Sequence, residues 1–591
     1  MKNNQLRMIT VLIIIFAAAA VISSVILNMK TNRPGEENVN GTAETAADGG
    51  YMMNELNAAL KPVLPADKYR TTYEIFTGSF CDGNGDGTGD LKGITERLDY
   101  INNGDPSSLD SLGASQIWLT PVFPSPTYHK YDVTDYKDID KDFGTLEDMD
   151  ALVKACHERG VRLILDFPVN HTSVEHPWFV QAAEYLKGLS GEEKEALREE
   201  GSGRLVFTEQ DIAECPYLSY FNFTLEKAQG YEPLQGTGDP QIYYEARFWS
   251  GMPDLDLADE AVKKEIADIV SFWMERGIDG FRLDAVGYYF TDDRQQSIDF
   301  LAWLNDTVKA VDPDAYLVGE AWENQEIYAR FYESGIDSLF DFAFAGPDGR
   351  ITQTVRGSRS AAAFVEDMEK EEKLYGSYSP LAVNAPFYTN HDMARSTGYY
   401  AYDDGSRTKF SGALNLLMTG NAFIYYGEEV GLKGSGKDEN KRAPMPWSTA
   451  EAGTDGMTAG PPAMDPQQAK FGTVQEQDKD PDSVLNYYRN AVRVRNAFPV
   501  IAKGRTGNIA ELSGEEIGAF TRTCDGEEPV LVVFNTAGEA RQADLRTADG
   551  CGEYTVLSAV LTVSGEPVEY SDGVLTLPPF GIAVFTAGQD R

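Results

Sequence analysis

Gly280-Phe281-Arg282-Leu283-Asp284-Ala285 and, further along, Gly319-Glu320-Ala321-Trp322 are short apolar runs that each end on a carboxylate. Phe387-Tyr388-Thr389-Asn390-His391-Asp392 repeats the pattern. An unpaired ion at the dry end of a strand costs several kcal/mol, so a chain that repeats it three times has a chemical use for it. Arg282 stands two residues before Asp284, which puts both on one face of a strand. A fixed cation there keeps Asp284 ionised. Glu320 follows an apolar run, a setting that raises a carboxyl's pKa and keeps its proton. The alternative for Arg282 and Asp284 is a purely structural ion pair.

Working outward from these segments, strands are predicted at Tyr73–Phe76, Gln116–Leu119, Arg162–Asp166, Gly280–Asp284, Tyr316–Gly319, Ser338–Phe342, Pro386–Tyr388 and Ala422–Tyr426. Stretches with helical apolar spacing lie between most of them, among them Leu146–Arg159, Ala261–Arg276 and Leu301–Val311. Strands alternating with helices predict an α/β chain folded as a (β/α)8 TIM barrel, whose chemistry sits at the carboxyl ends of its strands. The barrel is expected over 66–171 and 250–498. The intervening 172–249 is too long for a loop and is expected to be an inserted subdomain, in which Gly191–Glu200 reads as a solvated, charge-rich helix. Short alternating runs split by Gly, Asp and Asn predict a C-terminal antiparallel β-sandwich over 499–591.

The chain of 591 residues carries 51 basic and 93 acidic side chains, a formal charge of −42. That field repels nucleic acid and anionic lipid headgroups and is indifferent to neutral ligands. Ile9–Leu27 is charge-free and mostly apolar, between Lys2 and Arg7 on one side and Lys30 and Arg33 on the other. Residues 1–30 therefore read as a membrane anchor or a signal segment, and the remainder as exported, either tethered at the extracellular face or secreted. Residues 31–65 read as a flexible tether. The five scattered cysteines form neither a zinc pattern nor a disulfide framework, and a Cys524–Cys551 bridge stays open.

Asp82-Gly83-Asn84-Gly85-Asp86-Gly87-Thr88-Gly89-Asp90 sets oxygen ligands at alternate positions with glycines between. Hard oxygens so spaced suit a structural calcium ion, held by the side chains of Asp82, Asn84, Asp86 and Asp90 and the carbonyl of Thr88. Gly93 stands where an EF-hand needs Glu, so this is a different loop; the alternative is a surface turn. Tyr128-His129-Lys130-Tyr131-Asp132 follows the second strand, and Asp166-Phe167-Pro168-Val169-Asn170-His171 ends the third. Aromatic rings beside acids suit sugars. Two of the five histidines, His171 and His391, follow barrel strands beside Asn or Asp.

Taken together, Asp166–His171, Gly280–Ala285, Gly319–Trp322 and Phe387–Asp392, with Met252-Pro253-Asp254-Leu255-Asp256, resemble the α-amylase family of glycoside hydrolases over nearly all of 73–591. The resemblance implies Asp284 as nucleophile, Glu320 as general acid/base and Asp392 as the stabiliser that grips sugar hydroxyls. It further implies His171, Arg282 and His391 as contacts to the same sugar, Tyr131 as a stacking ring, and Asp132 with Arg395 at the non-reducing end. The Tyr128–Tyr136 segment and Asp438–Trp447 are similar to exported bacterial α-amylases near the oligo-1,6-glucosidases. Hydrolysis of α-1,4 bonds of starch and malto-oligosaccharides by a monomer is the implied activity. An exo-acting α-glucosidase, a glucanotransferase and a non-catalytic transporter subunit are the alternatives. Gly287-Tyr288 and Asp256 depart from the Lys-His and Asn common in the family.

Overall fold

The computed structural model describes residues 50–291, 293–466 and 469–588. The anchor or signal segment over Ile9–Leu27 lies outside the described residues. Among the described residues no helix is long and apolar enough to cross a membrane.

Eight parallel strands form the barrel: β1 (Thr71–Ile75), β2 (Gln116–Leu119), β3 (Arg162–Phe167), β4 (Gly280–Leu283), β5 (Tyr316–Gly319), β6 (Ser338–Phe340), β7 (Val383–Ala385) and β8 (Ala422–Tyr425). From β1 to β7 each pairs with its sequence neighbour, and β8 pairs with β1. At the β7–β8 seam Asn421 N donates to Asn384 O at 2.8 Å and Phe423 N to Pro386 O at 2.8 Å, which joins the two ends of the sheet. β7 begins and ends earlier than the predicted 386–388. Pro386 has no N–H to give a neighbouring strand, so the ladder to β6 stops at Ala385. The barrel is filled by Trp118, Ile164, Tyr316, Val318, Phe340, Phe387 and Phe423. Gly280 on β4 has φ +148°, and a Cβ there would meet Tyr316 O at 1.9 Å, so only glycine lets β4 lie against β5.

Outer helices include α1 (Leu146–Glu158), α2 (Glu260–Glu275), α3 (Arg294–Val311), α4 (Ala361–Tyr378), α5 (Ser406–Leu416) and α6 (Val484–Ala497). Thr145 and Asp148 close α1 with a reciprocal capping box, and Asp259 caps α2 through Ala261 N and Val262 N. α3 starts earlier than the apolar spacing implies, because Asp293 caps it by accepting from Gln296 N.

Between β3 and β4 the chain makes helices Pro177–Gly188, Gly191–Leu197 and Glu209–Glu214 and a small antiparallel sheet in the order Phe223–Thr224, Tyr243–Glu245, Tyr231–Pro233. The helix from Gly191 is not wholly solvated: Lys194 is buried and donates to the carbonyls of Thr237 and Pro240. After α6 the chain forms a five-stranded antiparallel sheet and three strands of a second, four-stranded one.

The second sheet corrects the tether over 50–65, while its first part, 31–49, lies outside the described residues. Gly50–Tyr51 pairs with Val568–Ser571, and a helix follows at Met53–Ala58 with Met53 and Leu56 buried. Asn57, fully buried, donates to Val560 O at 2.8 Å and to Asn490 Oδ1 at 3.1 Å, and accepts from Val560 N. Arg493 donates to the carbonyls of Asn57, Ala58 and Leu60. Polar bonds thus hold a segment whose sparse apolar content reads as loose. All five cysteines are free, so no Cys524–Cys551 bridge forms.

Asn57 therefore fastens the amino-terminal segment to α6 and to the C-terminal sheet. Asn57→Ala leaves Val560 N and O without their buried partner and is expected to lower unfolding free energy by about 2 kcal/mol, read as a reduced urea midpoint. An unchanged midpoint would show that the segment contributes nothing.

Candidate active site

Parallel register decides which side chains meet at the barrel mouth. Asp166 of β3 lies opposite Arg282 of β4, and Leu283 opposite Gly319 of β5, so Asp284 and Glu320 leave their strands side by side. Arg282 is fully buried. Its Nη1 donates to Asp166 Oδ1 at 2.8 Å and to Asp284 Oδ1 at 2.6 Å, and its Nη2 lies 2.7 Å from Glu320 Oε2. Trp118 and Tyr131 face the guanidinium at 5.2 and 5.8 Å from their ring centroids. The cation thus serves three carboxylates, where the sequence suggested service to Asp284 alone.

One guanidinium fork spans Asp284 and Glu320, which holds the two carboxyls within reach of a single small group. Ala285 sits between them in the left-handed region at φ 49°, ψ 41°, and turns its N–H to Glu320 Oε2 at 3.4 Å. Such a conformation costs an alanine about 1–3 kcal/mol and is held only by its surroundings. Burial pushes the Glu320 carboxyl up to about 7, with Arg282 opposing and Asp284 and Asp392 adding to the rise. Burial likewise lifts Asp166 to about 6 against the pull of Arg282.

Asp392 has the opposite setting. Its Oδ1 accepts from Arg442 Nη2 at 2.9 Å, and its Oδ2 lies 3.2 Å from His391 Nε2. Burial works against its charge, but His391 and Arg442 outweigh burial and hold it well below the usual carboxylate range. Arg442 is anchored from behind by Asp438 Oδ2 at 2.5 Å, which also accepts from Tyr128 OH. His391 is fully buried, with Nδ1 2.6 Å from Glu74 Oε1. Burial opposes protonation of His391, yet Asp392 and Glu74 push it up to about 10.

The other expected contacts divide. His171 is buried, and neither ring nitrogen has a hydrogen-bond partner; burial lowers its pKa and favours the neutral ring. Its imidazole rests against Phe248 at 5.2 Å, and Phe248 against the exposed Tyr288 at 5.4 Å. The Tyr131 ring runs nearly parallel to the imidazole of His391, at 12° with ring centroids 5.6 Å apart, and its hydroxyl lies 2.6 Å from Nε2, so the two rings meet edge to edge. Asp132 and Arg395, both expected at the non-reducing end, have separate partners. Asp132 accepts from the hydroxyls of Ser125 and Thr127. Arg395 is clamped between Tyr425 and Tyr426 and donates to the carbonyls of Tyr426 and Lys441. Arg442 instead supplies the cation beside Asp392. Asp256 is paired with Arg204 at 3.1 Å, which gives the departure at this position a partner.

Glu74 and Arg442 are the site residues the sequence reading missed. Glu74 carried a signal, a charge inside a strand that is otherwise apolar or hydroxylic. Arg442 carried none, because α5, β8 and the loop after them separate it from the strand ends.

The calcium candidate curls as its glycines imply. Asp82 accepts from Asn84 N, Gly85 N and Gly87 N, Asn84 from Asp86 N, and Asp86 from Thr88 N. Asp90 caps the following helix through Gly93 N. Burial raises the Asp90 carboxyl, and Asp82 and Asp86 add to the rise. Among the described residues no three Asp, Glu, His or Cys side chains form a metal-holding group, so ligation would need Asn84 and backbone oxygen as well. Asp82, Asp86 and Asp90 put three acidic side chains on one short loop with no basic side chain paired to them among the described residues, a charge that a divalent cation would offset.

Residues 74–504 match the alpha amylase catalytic-domain family. The chain is 34% identical to Alpha-amylase 3 of Dictyoglomus thermophilum over 480 residues, covering 78% of this chain and 84% of that protein. It is 28% identical to the oligo-1,6-glucosidase of Heyndrickxia coagulans over 522 residues, 74% and 86% of the two chains. Among solved structures, Eubacterium rectale Amy13B superposes with a TM-score of 0.83 at 41% identity, covering 92% of this chain and all of that one. This chain belongs to the alpha-amylase family, glycoside hydrolases that act on α-glucans.

Proposed function

We propose that this enzyme hydrolyses internal α-1,4-glucosidic bonds of starch and malto-oligosaccharides with retention of configuration. The observation that carries the reading is the Arg282 fork, which holds Asp284 and Glu320 together while Glu320 is pushed up to about 7. Retaining glycosidases need two carboxyls about 5–5.5 Å apart, one ionised and one carrying a proton. Glu320 gives its proton to the glycosidic oxygen as Asp284 attacks the anomeric carbon, and the leaving chain departs with that proton. Water then attacks the glycosyl-enzyme ester, gives a proton to Glu320 and frees Asp284. Asp392, kept anionic by His391 and Arg442, grips sugar hydroxyls. The unpartnered nitrogens of His171 meet another.

Two features support cutting within a chain. A cavity of about 500 Å³ is lined by Trp322, Phe342 and Met393, of which Trp322 and Met393 follow Glu320 and Asp392 closely in the chain. Relatives named as alpha-amylases are among the more similar ones. Chromatography of the products from starch and maltoheptaose tests the reading. A spread of oligosaccharides is expected, whereas glucose alone would mean an exo-acting α-glucosidase and chain-length redistribution a glucanotransferase. Glu320→Gln should lower kcat about a thousandfold. Because the acid must hold its proton, kcat/KM should fall as pH rises through about 7, with unit slope.

Arg442 and Arg395 give a contrast. Arg442→Met leaves Asp392 short of one cation and should lower kcat/KM about a hundredfold, beyond what its loss of thermal midpoint explains. Arg395→Met removes a clamp on β8 and should show first as a lowered midpoint. Equal effects on both quantities from both variants would refute this division of roles.

We further propose that the 82–90 loop holds calcium through Asp82, Asn84, Asp86, Asp90 and the Thr88 carbonyl. The ion would neutralise the crowded carboxylates and stiffen the barrel rim. Excess EDTA should lower the thermal midpoint by several degrees, and restored calcium should return it. Asp86→Asn should blunt the response, and a midpoint indifferent to EDTA would exclude the ion.

A further inference from the structure

Glu74 lies on β1 at the foot of the site and belongs to none of the roles assigned above. Its carboxyl accepts from both His391 Nδ1 at 2.6 Å and the His391 backbone N at 3.2 Å, so Nδ1 carries a proton. On the other side of the ring, Nε2 lies 2.6 Å from the Tyr131 hydroxyl, whose own proton goes to Asp166 Oδ2 at 2.8 Å. A hydroxyl that donates to a carboxylate must accept from its other neighbour, so Nε2 carries a proton too. Asp392 Oδ2 at 3.2 Å from Nε2 asks for the same proton. Hydrogen-bond directions alone therefore describe an imidazolium.

We propose that Glu74 is a positioning residue: it fixes the His391 ring as an imidazolium turned toward Tyr131 and Asp392, and so sets the charge and orientation of Asp392. The groups that face the ring are Glu74 from β1, Tyr131 from the loop after β2, Asp166 from β3, Glu320 from β5 and Asp392 beside it. The Trp118 edge stands at 5.6 Å, and Arg282 and Arg442 lie behind Tyr131 and Asp392. The two carboxylates in direct contact with the ring, Glu74 and Asp392, against two more distant cations favour the charged ring. Its pKa, pushed up to about 10, has the same direction. Glu74 touches no reacting atom. It acts at a distance, through His391 on Asp392.

The proposal rests on the glycosidase reading only for its kinetic part. Histidine-labelled full chain is titrated by NMR, with the His391 signal identified by its loss in His391→Asn. In the wild type the ring should stay charged to above pH 8.5. In Glu74→Gln, which keeps an acceptor but removes the charge, the midpoint should fall by about two pH units. On maltoheptaose the same variant should lose at least about tenfold in kcat with KM little changed. A neutral wild-type ring at pH 8, or an unchanged midpoint in Glu74→Gln, overturns the proposal, and the first needs no folded variant. Absence of any hydrolysis by the wild type would refute the glycosidase reading and leave the titration to judge Glu74.

Discussion

The buried guanidinium of Arg282 is the interaction on which the site depends. A lone cation inside a barrel would cost several kcal/mol, and no single carboxylate removes that cost fully. Here three carboxyls from three adjacent strands share it, with an aromatic ring on either side. The planar fork dictates where each oxygen sits, which the point charge of lysine could not do. Strand register delivers the carboxyls, and the fork fixes their separation. The geometry of Asp284 and Glu320 is therefore a property of the barrel core as much as of the loops above it.

A second cationic centre explains why acids so close together differ in acidity. Asp392 lies between two cations of its own, His391 and Arg442, and ionises readily in spite of burial. Glu320 shares Arg282 with two other carboxylates, and burial wins. Cation count and exposure point the same way here, since the Asp392 side chain is also the more open of the two. Each cation is in turn secured from behind, Arg442 by Asp438 and His391 by Glu74.

Much of this was legible in the sequence, for identifiable reasons. Charges that close apolar runs announced β4 and β5 and the three acids, because burial makes such charges costly. The β7 boundary was less legible: Asn384 breaks the apolar pattern, and its side chain is spoken for by Asp341 and Glu371, contacts no local window contains. Arg442 could not be singled out, since only folding brings it to Asp392, and nothing local to Arg395 shows that the rings of Tyr425 and Tyr426 hold it. The segment from Gly50 to Leu60 reads as loose because its partners, Arg493 and Val560, lie more than four hundred residues away in the chain.

Two local costs at the mouth bear on how binding energy reaches the chemistry. Ala285 is held in the left-handed region, and His171 is buried with both nitrogens unpaired. A stable domain can carry both, but neither is improved by anything within the protein. A sugar hydroxyl that reaches His171 removes an unpaired buried polar group, a change worth about 1–3 kcal/mol. Such a gain arises only when the ring sits deep enough to place its anomeric carbon beside Asp284. Partial or misaligned entry forfeits it. The unsatisfied imidazole thus favours the reactive depth over the shallower poses that an open, aromatic-rimmed cleft would otherwise allow.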